Sequence, residues 1–286
     1  MSLYEHSLTT RHCEMDSSMH INNANFLRYT EEARVHMMVA QQFPMEEVHK
    51  ANVEMILYKS VSLYKEQVRY PESLTVKSKQ IQTKKVRGIL RQEIYKEDGS
   101  LCFVSDAYWA YHAKDKSAVD ATIQFTKKFG ADSDNTILPL EYDNNFKASH
   151  NYPHVNVKIE VRPYELDSFQ HVNNAVYANY FEIGRWEFRR TVLPDLNYFK
   201  DMGLTFVIYK NTIEFIRPAF LFQELNIRTW LIEITPARII YWQEIEGENG
   251  TIHANCRSEG CVIDKAGNPV KLKPEIIRAY NALLVH

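Results

Sequence analysis

The chain has 286 residues, 45% of them apolar, and this length and composition fit about two folded domains with ordinary cores. Its 34 basic and 36 acidic residues leave a net charge of -2, which gives no electrostatic reason to expect nucleic acid or an acidic membrane as partner. The four cysteines form no CxxC pair, the N-terminus has no signal-peptide pattern, and no apolar run approaches the roughly 18 residues of a membrane span. We therefore expect a cytoplasmic protein with free thiols.

A polar motif occurs twice, and the second copy follows the first at a constant spacing of 151 residues, as in 162 minus 11. A residue type averages about one position in twenty, so nine identities at a single offset are not a chance match. The same offset continues without a gap from Leu74 and Leu225 to Gly99 and Gly250, so the duplication covers whole domains. The identical pairs are Arg11 and Arg162, Glu14 and Glu165, Asp16 and Asp167, His20 and His171, Asn22 and Asn173, Asn23 and Asn174, Tyr29 and Tyr180, Glu31 and Glu182, and Arg34 and Arg185.

The segment between the two copies differs from both of them. Residues 120–151 are rich in turn-forming residues and poor in periodicity. We interpret this segment as an interdomain connection. It separates an N-terminal domain over 1–119 from a C-terminal domain over 152–286.

Each copy begins with a pattern that predicts a strand and then a long helix. The alternation of Val155, Val157 and Ile159 with polar residues predicts a strand with one buried face, and residues 4–10 are its weaker counterpart. After the polar motif, apolar and small residues recur at helical spacing. These stripes are Phe26, Thr30, Ala33 and Met37 in the first copy and Val176, Tyr180, Gly184 and Phe188 in the second.

The remainder of each copy is rich in β-forming residues and predicts an antiparallel meander. Turn sequences at 96–100 and 246–251 mark equivalent hairpins. We therefore predict α+β units in which a meander wraps one long helix. The small residues Ala33 and Gly184 at the middle of each helix are expected to let it lie close against a sheet. The predicted strands cover 74–81, 87–96 and 101–112, and then 225–234, 239–246 and 252–263.

The motif itself lies between the first strand and the helix of each copy. An aspartate, Asp16 or Asp167, precedes a histidine by four residues and two asparagines by six and seven. A helix N-terminus presents unpaired N–H groups and a partial positive charge, so it can stabilise the oxyanion of an attacked carbonyl. A carboxylate just upstream can attack the carbonyl carbon or deprotonate a water. The grouping suits acyl transfer to water.

The pattern RxxExDxxxHVNNxxYxxYFExGR over 162–185 resembles the signature of hot-dog-fold thioesterases of the 4-hydroxybenzoyl-CoA and acyl-CoA thioesterase family. The pattern RxxExDxxxHINNxxFxxYxExAR over 11–34 resembles it nearly as well. The resemblance implies an α+β double hot-dog, two units each with a long central helix wrapped by a curved antiparallel sheet. It also implies that the two copies pair within one chain and form two pseudo-equivalent clefts.

The same resemblance implies roles for individual residues of the motif. Asp16 and Asp167 match the catalytic carboxylates, and the backbone N–H groups of Asn23 and Asn174 match the oxyanion donors. Whether the aspartate acts as nucleophile or as general base stays open. One copy of a duplicated site is free to decay into substrate binding, so the second copy is the stronger catalytic candidate.

The neighbouring side chains of the motif have less specific roles. Asn22 and Asn173 are predicted to be supporting helix N-caps rather than reactants. His20 and His171 are candidate catalytic residues that orient the water or the carboxylate, and they are equally well explained as hydrogen-bond partners that hold the loop.

A second resemblance is to plant and bacterial acyl-ACP thioesterases, which are also tandem hot-dogs and whose catalytic-domain pattern the chain follows over 167–177. The histidine of that pattern matches a residue proposed to be catalytic there. Ser18 and Phe169 stand where those enzymes carry Asn, and Met19 and Gln170 stand where many single-domain relatives carry Gly. The first domain of those enzymes also lacks the motif that this chain retains.

These observations favour a hydrolase that cleaves fatty acyl-CoA to free acid and CoA, with acyl-ACP as the alternative substrate. A catalytically silent acyl-thioester-binding module is a second hypothesis, although such a binder has no evident need for two carboxylates. A hot-dog dehydratase ranks last, because it would act on Cβ of the acyl chain, whereas the motif at the helix start aims at a carbonyl.

The expected partners and cofactors follow from this hypothesis. No metal or redox cofactor is implied, since CoA or an acyl carrier enters as part of the substrate. Arg87 and Arg238, on equivalent strands, are candidates for binding the CoA phosphates, because a planar guanidinium pairs well with phosphate. We expect a small-molecule acyl thioester as ligand, acyl carrier protein as the alternative carrier, no nucleic acid, no membrane span, and self-association of the double units.

Overall fold

The computed structural model divides into two compact units, Met1–Tyr142 and Asp143–His286. The described residues are 3–41, 45–115, 119–129, 134, 136–143, 145–193, 195 and 198–285. Among them, no helix combines the length and apolar content that a membrane span requires. The four cysteines are free thiols, as expected.

Unit 1 contains a five-stranded antiparallel sheet and one long helix. Along the chain, its elements are β1 (Tyr4–Thr9), α1 (Asn23–Ala40), α2 (Met45–Lys50), β2 (Val53–Tyr64), β3 (Ser73–Lys84), β4 (Arg87–Lys96), β5 (Leu101–Ala113) and α3 (Val119–Phe129). The strands follow the order β1-β3-β4-β5-β2.

Unit 2 repeats this arrangement with one short strand added. Its elements are β6 (Val155–Glu160), α4 (Asn174–Val192), α5 (Tyr198–Asp201), β7 (Thr205–Phe215), β8 (Glu224–Ile234), β9 (Ile239–Glu246), β10 (Ile252–Ile263), β11 (Pro269–Val270) and α6 (Pro274–Asn281). The strands follow the order β6-β8-β9-β10-β7, and β11 pairs with β10.

The duplication extends to the register of the sheets. Tyr4 pairs with Ser78 in unit 1, and Val155 pairs with Thr229 in unit 2, so both partners differ by the same offset. The bulge between Gln80 and Gln82 recurs between Leu231 and Glu233. A bulge bends and twists its strand, so its retention gives both sheets the same local distortion. The α+β architecture predicted from the sequence is confirmed.

The long helix of each unit packs on the sheet through the predicted stripe. Helix α1 contacts β1 and β3, and α4 contacts β6, β8 and β9. Every residue of both stripes is buried. Burial of each large apolar side chain contributes about 1.5–3 kcal/mol, which exceeds what helix propensity alone supplies. The helix is thereby fixed on the sheet, and its N-terminus is fixed with it.

Three features differ from the sequence analysis. Strands β2 and β7 were not predicted, because the burial of their residues does not alternate. Helix α3 begins at Val119, so all but its first residue lies in 120–151, the segment interpreted as a connection, and it packs on β5. Its Phe125 joins the cluster around Trp109 and Tyr111, so the start of that segment is part of unit 1, and the boundary between the compact units falls after Tyr142. The remainder of 120–151 includes positions outside the described residues.

Candidate active site

A tight loop joins the first strand of each unit to the long helix. The Asp16 N–H donates to the His20 carbonyl at 2.8 Å, and the Asp167 N–H donates to the His171 carbonyl at 2.9 Å. The flanking residues form isolated β-bridges, Met15 with Ile21 in unit 1 and Leu166 with Val172 in unit 2. These bonds close the loop, so the aspartate at its start is held close to the helix that begins soon after its end.

Each loop contains one residue in the left-handed backbone region. Met19 has φ 63° and Gln170 has φ 64°. By the sequence resemblance, many single-domain relatives carry Gly at these two positions, and Gly adopts this conformation without steric cost. The equivalent residues of both loops thus adopt the same conformation without glycine, at a cost of about 1–2 kcal/mol each.

Backbone N–H groups hold one oxygen of each candidate carboxylate. Asp16 Oδ1 accepts from the Ser18 N–H at 2.7 Å and from the His20 N–H at 3.3 Å. Asp167 Oδ1 accepts from the Phe169 N–H at 2.8 Å. This is the geometry of a turn stabilised by an aspartate side chain. It fixes the direction of the carboxylate, and the Asp167 side chain retains 19% exposure, which leaves it accessible.

The helix begins at the residue predicted from the sequence. The side chains of Asn22 and Asn173 accept from the N–H groups of Ala24 and Ala175, so both predicted N-caps are confirmed. The first N–H groups of a helix have no intrahelical acceptor. The cap accepts from the N–H of the second helical residue and not from the first, on Asn23 or Asn174, which lies at the positive end of the helix dipole.

A buried glutamate anchors the unit 1 loop to its helix. Glu14 accepts from the Tyr29 hydroxyl at 2.5 Å and from the Arg11 N–H at 2.7 Å, and its carbonyl accepts from the Asn22 N–H at 2.9 Å. Burial, together with the Glu14 hydrogen bond, raises the pKa of Tyr29 well above its usual range, so this hydroxyl stays a donor. In unit 2, Glu165 makes the equivalent bonds. The structure thus explains three of the repeated residues to which sequence analysis gave no role.

The histidine of unit 2 faces the candidate carboxylate. His171 Nδ1 lies 3.2 Å from Asp167 Oδ2, the oxygen that does not accept from Phe169. The Phe169 ring stacks on the imidazole, with centroids 5.7 Å apart and an interplanar angle of 7°. Stacking on one side and the carboxylate on another restrict the ring. This contact fits both roles that the sequence left open for His171, orienting the carboxylate and holding the loop.

The histidine of unit 1 has a different neighbour. His20 Nε2 lies 3.3 Å from Arg69 Nη2, and the residue equivalent to Arg69 in unit 2 is Phe220. Burial lowers the pKa of His20 below its ordinary 6.5, and Arg69 lowers it further against the opposing charge of Asp16. The imidazole of His20 is therefore neutral at pH 7. The two loops have the same backbone hydrogen bonds, but His20 lies next to a cation and His171 lies next to a carboxylate.

Replacing Arg69 by Gln is expected to raise the pKa of His20, because one of the two influences that lower it is removed. In the wild type the unfolded chain binds more protons than the folded chain between the lowered pKa and 6.5. Stability contributed by neutral His20 is therefore lost as the pH falls through that window, and R69Q should lose less. An NMR titration of the His20 ring checks this, with Arg278→Gln on α6 as control. An unchanged or lower pKa in R69Q would contradict the assignment.

A tyrosine on α4 adds a bond at the unit 2 site. The buried Tyr177 hydroxyl accepts from the Ala219 N–H at 3.2 Å, and the Val172 N–H donates to the Ala219 carbonyl at 2.9 Å. Burial raises the pKa of Tyr177 to about 12. The equivalent residue in unit 1 is Phe26, which cannot make this bond. Sequence analysis could not find the contact, because it depends on a loop 42 residues away.

A buried glutamine links the middle of each helix to its sheet. Gln243 Nε2 donates to the Phe181 carbonyl at 2.8 Å, and its Oε1 accepts from Arg185 Nη1 at 3.0 Å. Gln92 joins Thr30 and Arg34 in unit 1 in the same way. These bonds satisfy buried polar groups on both elements, so they fix the helix in its position along the sheet.

The two candidate phosphate ligands lie away from the loops of their own units. Arg238 lies in the β8–β9 hairpin, directly before β9. The start of β8 lies next to the loop, and there Asn226 pairs with Glu246 at the far end of β9. Eight residues of strand span about 27 Å, so unit 2 does not bring Arg238 to Asp167. Arg238 also donates two bonds to Glu233, at 2.5 and 3.1 Å. Arg87 occupies the equivalent hairpin position and is exposed.

The sequence profile of the Thioesterase-like superfamily matches residues 10–122 and 161–280. Each match covers one copy of the repeat, including its loop, its long helix and its meander. The chain therefore belongs to the Thioesterase-like superfamily.

Two curated relatives match part of the chain. It is 37% identical over 89 residues to the acyl-acyl carrier protein thioesterase ATL2, chloroplastic, of Arabidopsis thaliana, a match that covers 31% of this chain and 47% of the relative. It is 33% identical over 98 residues to the long-chain acyl-CoA thioesterase FadM of Escherichia coli (strain K12), covering 33% of this chain and 63% of the relative. The chain thus matches less than two thirds of the length of either relative.

Solved structures match nearly the whole chain. An oleoyl thioesterase structure from Lactobacillus plantarum has a TM-score of 0.72 and 13% identity, over 95% of this chain and 98% of that one. A 12:0-ACP thioesterase from Umbellularia californica has a TM-score of 0.66 and 15% identity, over 91% and 94%. These likenesses confirm the double hot-dog fold predicted from the sequence.

Proposed function

We propose that the protein hydrolyses acyl thioesters to a carboxylic acid and a thiol, with Asp167 and Asp16 as its catalytic carboxylates. The observation that carries the proposal is the geometry of the loop. In both units a backbone bond fixes the carboxylate on a loop that leads into a capped helix N-terminus. A carboxylate and an oxyanion donor placed together are what attack on a carbonyl requires.

The reaction follows from these groups. The thioester carbonyl oxygen accepts from the N–H of Asn174, or of Asn23 in unit 1, where the helix end stabilises the negative charge that develops on it. Asp167 takes a proton from water as the water oxygen adds to the carbonyl carbon. The C–S bond then breaks, and the leaving sulfur receives the proton. His171, 3.2 Å from Asp167, holds the carboxylate in its orientation.

A direct attack by the carboxylate is the second route through the same geometry. Asp167 would then form an anhydride with the acyl group and expel the thiol, and water would hydrolyse the anhydride. Both routes need the same oxyanion donor. Hydrolysis in ¹⁸O-labelled water under single-turnover conditions separates them, because only the anhydride route can leave a carboxylate oxygen of the protein in the product.

The substrate we propose is a fatty acyl-CoA, with acyl-ACP as the second candidate. Family membership and the activities of the relatives support both, since FadM is a long-chain acyl-CoA thioesterase and ATL2 an acyl-acyl carrier protein thioesterase. The apolar and aromatic side chains around the helices, such as Phe26 and Tyr177, are buried and give the units an apolar interior.

Free thiol release from a panel of acyl groups, each presented once on CoA and once on ACP, tests the proposal. We expect turnover of fatty acyl thioesters, and faster turnover on CoA than on ACP for the same acyl group. Faster turnover on ACP would still support thioester hydrolysis, but it would identify ACP and not CoA as the preferred carrier. Tight binding of a long-chain acyl-CoA without thiol release would instead support the silent acyl-thioester-binding module.

A further inference from the structure

Three side chains of unit 1 that the proposed reaction does not use form a compact cluster. His6 comes from β1, and Glu32 and His36 lie one turn apart on α1. His6 Nε2 is 3.7 Å from Glu32 Oε1, and His36 Nε2 is 3.9 Å from the same oxygen. One ligand atom from each residue lies within 4.8 Å of the other two. Two imidazoles and a carboxylate are ligands that zinc prefers.

The histidine from the strand is poorly explained without a ligand. The side chain of His6 is only 14% exposed, and its Nε2 is buried with no hydrogen-bond partner among the residues that the structure describes. A buried polar atom without a partner is destabilising, because it loses its hydrogen bonds to water on folding. This nitrogen points toward Glu32, and the ring stacks on that of His36 with centroids 4.4 Å apart. A shared ion would satisfy the nitrogen.

The distances are close to those of a coordinated ion. Zinc binds imidazole nitrogen and carboxylate oxygen at about 2.0–2.2 Å in a tetrahedral arrangement, which separates the ligand atoms by roughly 3.4 Å. The separations of 3.7 and 3.9 Å must shorten by a few tenths of an ångström, and a separation at the 4.8 Å limit must shorten by about 1.4 Å. Glu32 and His36 are 53% and 52% exposed, so rotation of their side chains meets little resistance.

The second copy of the repeat has no equivalent cluster. At the offset of 151, Val157, Ile183 and Glu187 replace His6, Glu32 and His36. Glu187 forms an ion pair with Arg190 on the same helix. The two units otherwise keep the same fold and register, so the cluster is a feature of unit 1 and not of the shared fold.

We propose that His6, Glu32 and His36 bind a divalent transition-metal ion, with Zn²⁺ as the ion that suits this ligand set, and that water completes the tetrahedron. The ion would join β1 to the middle of α1. Because such an ion binds the folded arrangement and not the unfolded chain, it would stabilise unit 1 once its concentration exceeds Kd, and the stabilisation would rise with the logarithm of the concentration. The sequence analysis implied no metal, since the cluster has no local ligand motif other than the spacing of Glu32 and His36.

Calorimetric titration of the chelator-treated full chain with ZnCl₂ tests the site. The expected result is one equivalent bound at micromolar zinc, with a Tm that rises on zinc addition. His36→Gln and His6→Val should each weaken binding by at least about 10–100-fold, the loss that removal of an outer-shell partner alone causes. His112→Gln, at an exposed position of β5, is the control and should bind as the wild type does.

The His36 variant distinguishes loss of metal binding from loss of folding. His36 is half-exposed on a helix, so H36Q is expected to fold even if the His6 variant does not. Co²⁺ in place of zinc should give the visible absorption of a tetrahedral site in the wild type and not in H36Q. A wild-type chain that takes up no zinc at micromolar concentration, or that binds it no more tightly than H36Q, would overturn the proposal.

Discussion

Asp167→Asn is expected to lower kcat at the unit 2 site by about 10²–10⁴-fold, the usual contribution of a positioned acid or base, so the rate that remains is that of the unit 1 site. The amide retains the acceptor that the Phe169 N–H needs, so the turn should survive. What it loses is the ability to take a proton or to attack carbon. KM should change much less than kcat, because the carboxylate acts mainly in the transition state.

Asp16→Asn should lower the rate less than Asp167→Asn. In unit 2 a histidine lies against the candidate carboxylate and an aromatic ring stacks on that histidine, whereas in unit 1 His20 lies against Arg69. The control for both variants is Asp264→Asn, which changes another aspartate that accepts backbone N–H bonds in a turn. Equal losses in the two single variants would show that the units share the work, and a larger loss in D16N would reverse the assignment.

Gly184→Ala is expected to destabilise the protein by about 1–3 kcal/mol through overpacking. A Cβ at this position would lie 2.6 Å from Thr229 Oγ1, 2.7 Å from Gln243 Nε2 and 2.9 Å from Ile227 Cγ2. The neighbours are buried on β8 and β9, so they have little room to move. The gain of about 1 kcal/mol in helix propensity offsets only part of this cost. Denaturant unfolding followed by circular dichroism measures the difference.

The packing in unit 1 suggests substitutions that should recover the stability lost in G184A. The residue equivalent to Gly184 is Ala33, and the residues equivalent to Ile227 and Thr229 are the smaller Val76 and Ser78. The triple variant G184A/I227V/T229S transfers that set into unit 2. We expect its free energy of unfolding to exceed the value obtained by adding the effects of the three single substitutions. The difference should be at least about 0.5 kcal/mol, the lower end of the range found for residues in contact. Strictly additive effects would show that the small residue is not matched to its neighbours.

The parts of the fold that could be predicted are those that produce a local pattern in the sequence. The offset of 151 found in the sequence reappears in the strand register and in the bulges, and the Asn22 and Asn173 caps begin their helices as expected. Capping depends on residues near one another in sequence, and a strand with one buried face is recognised by alternation along the chain. β2 and β7 lack such alternation, because residues on both of their faces are partly or fully buried.

The differences between the two candidate sites could not be predicted. Both loops have the same Asp, His and Asn residues, so the sequence makes them look equivalent. The two sites differ in the residue that lies next to the histidine. In unit 1 it is Arg69 of the β2–β3 loop, and in unit 2 it is Phe220 of the β7–β8 loop. The cluster of His6 with α1 is likewise a product of tertiary packing. Contacts of this kind become visible only when the elements are placed.

The rate of thiol release from a fatty acyl-CoA tests most directly whether Asp16 and Asp167 are the catalytic carboxylates. It is measured for the double variant D16N/D167N and compared with the wild type and with D264N. Circular dichroism and the Tm confirm that all three proteins are folded. We predict that the double variant loses at least about 10²-fold in kcat while D264N keeps the wild-type rate. A double variant that hydrolyses the substrate as fast as the wild type would contradict the assignment of both carboxylates.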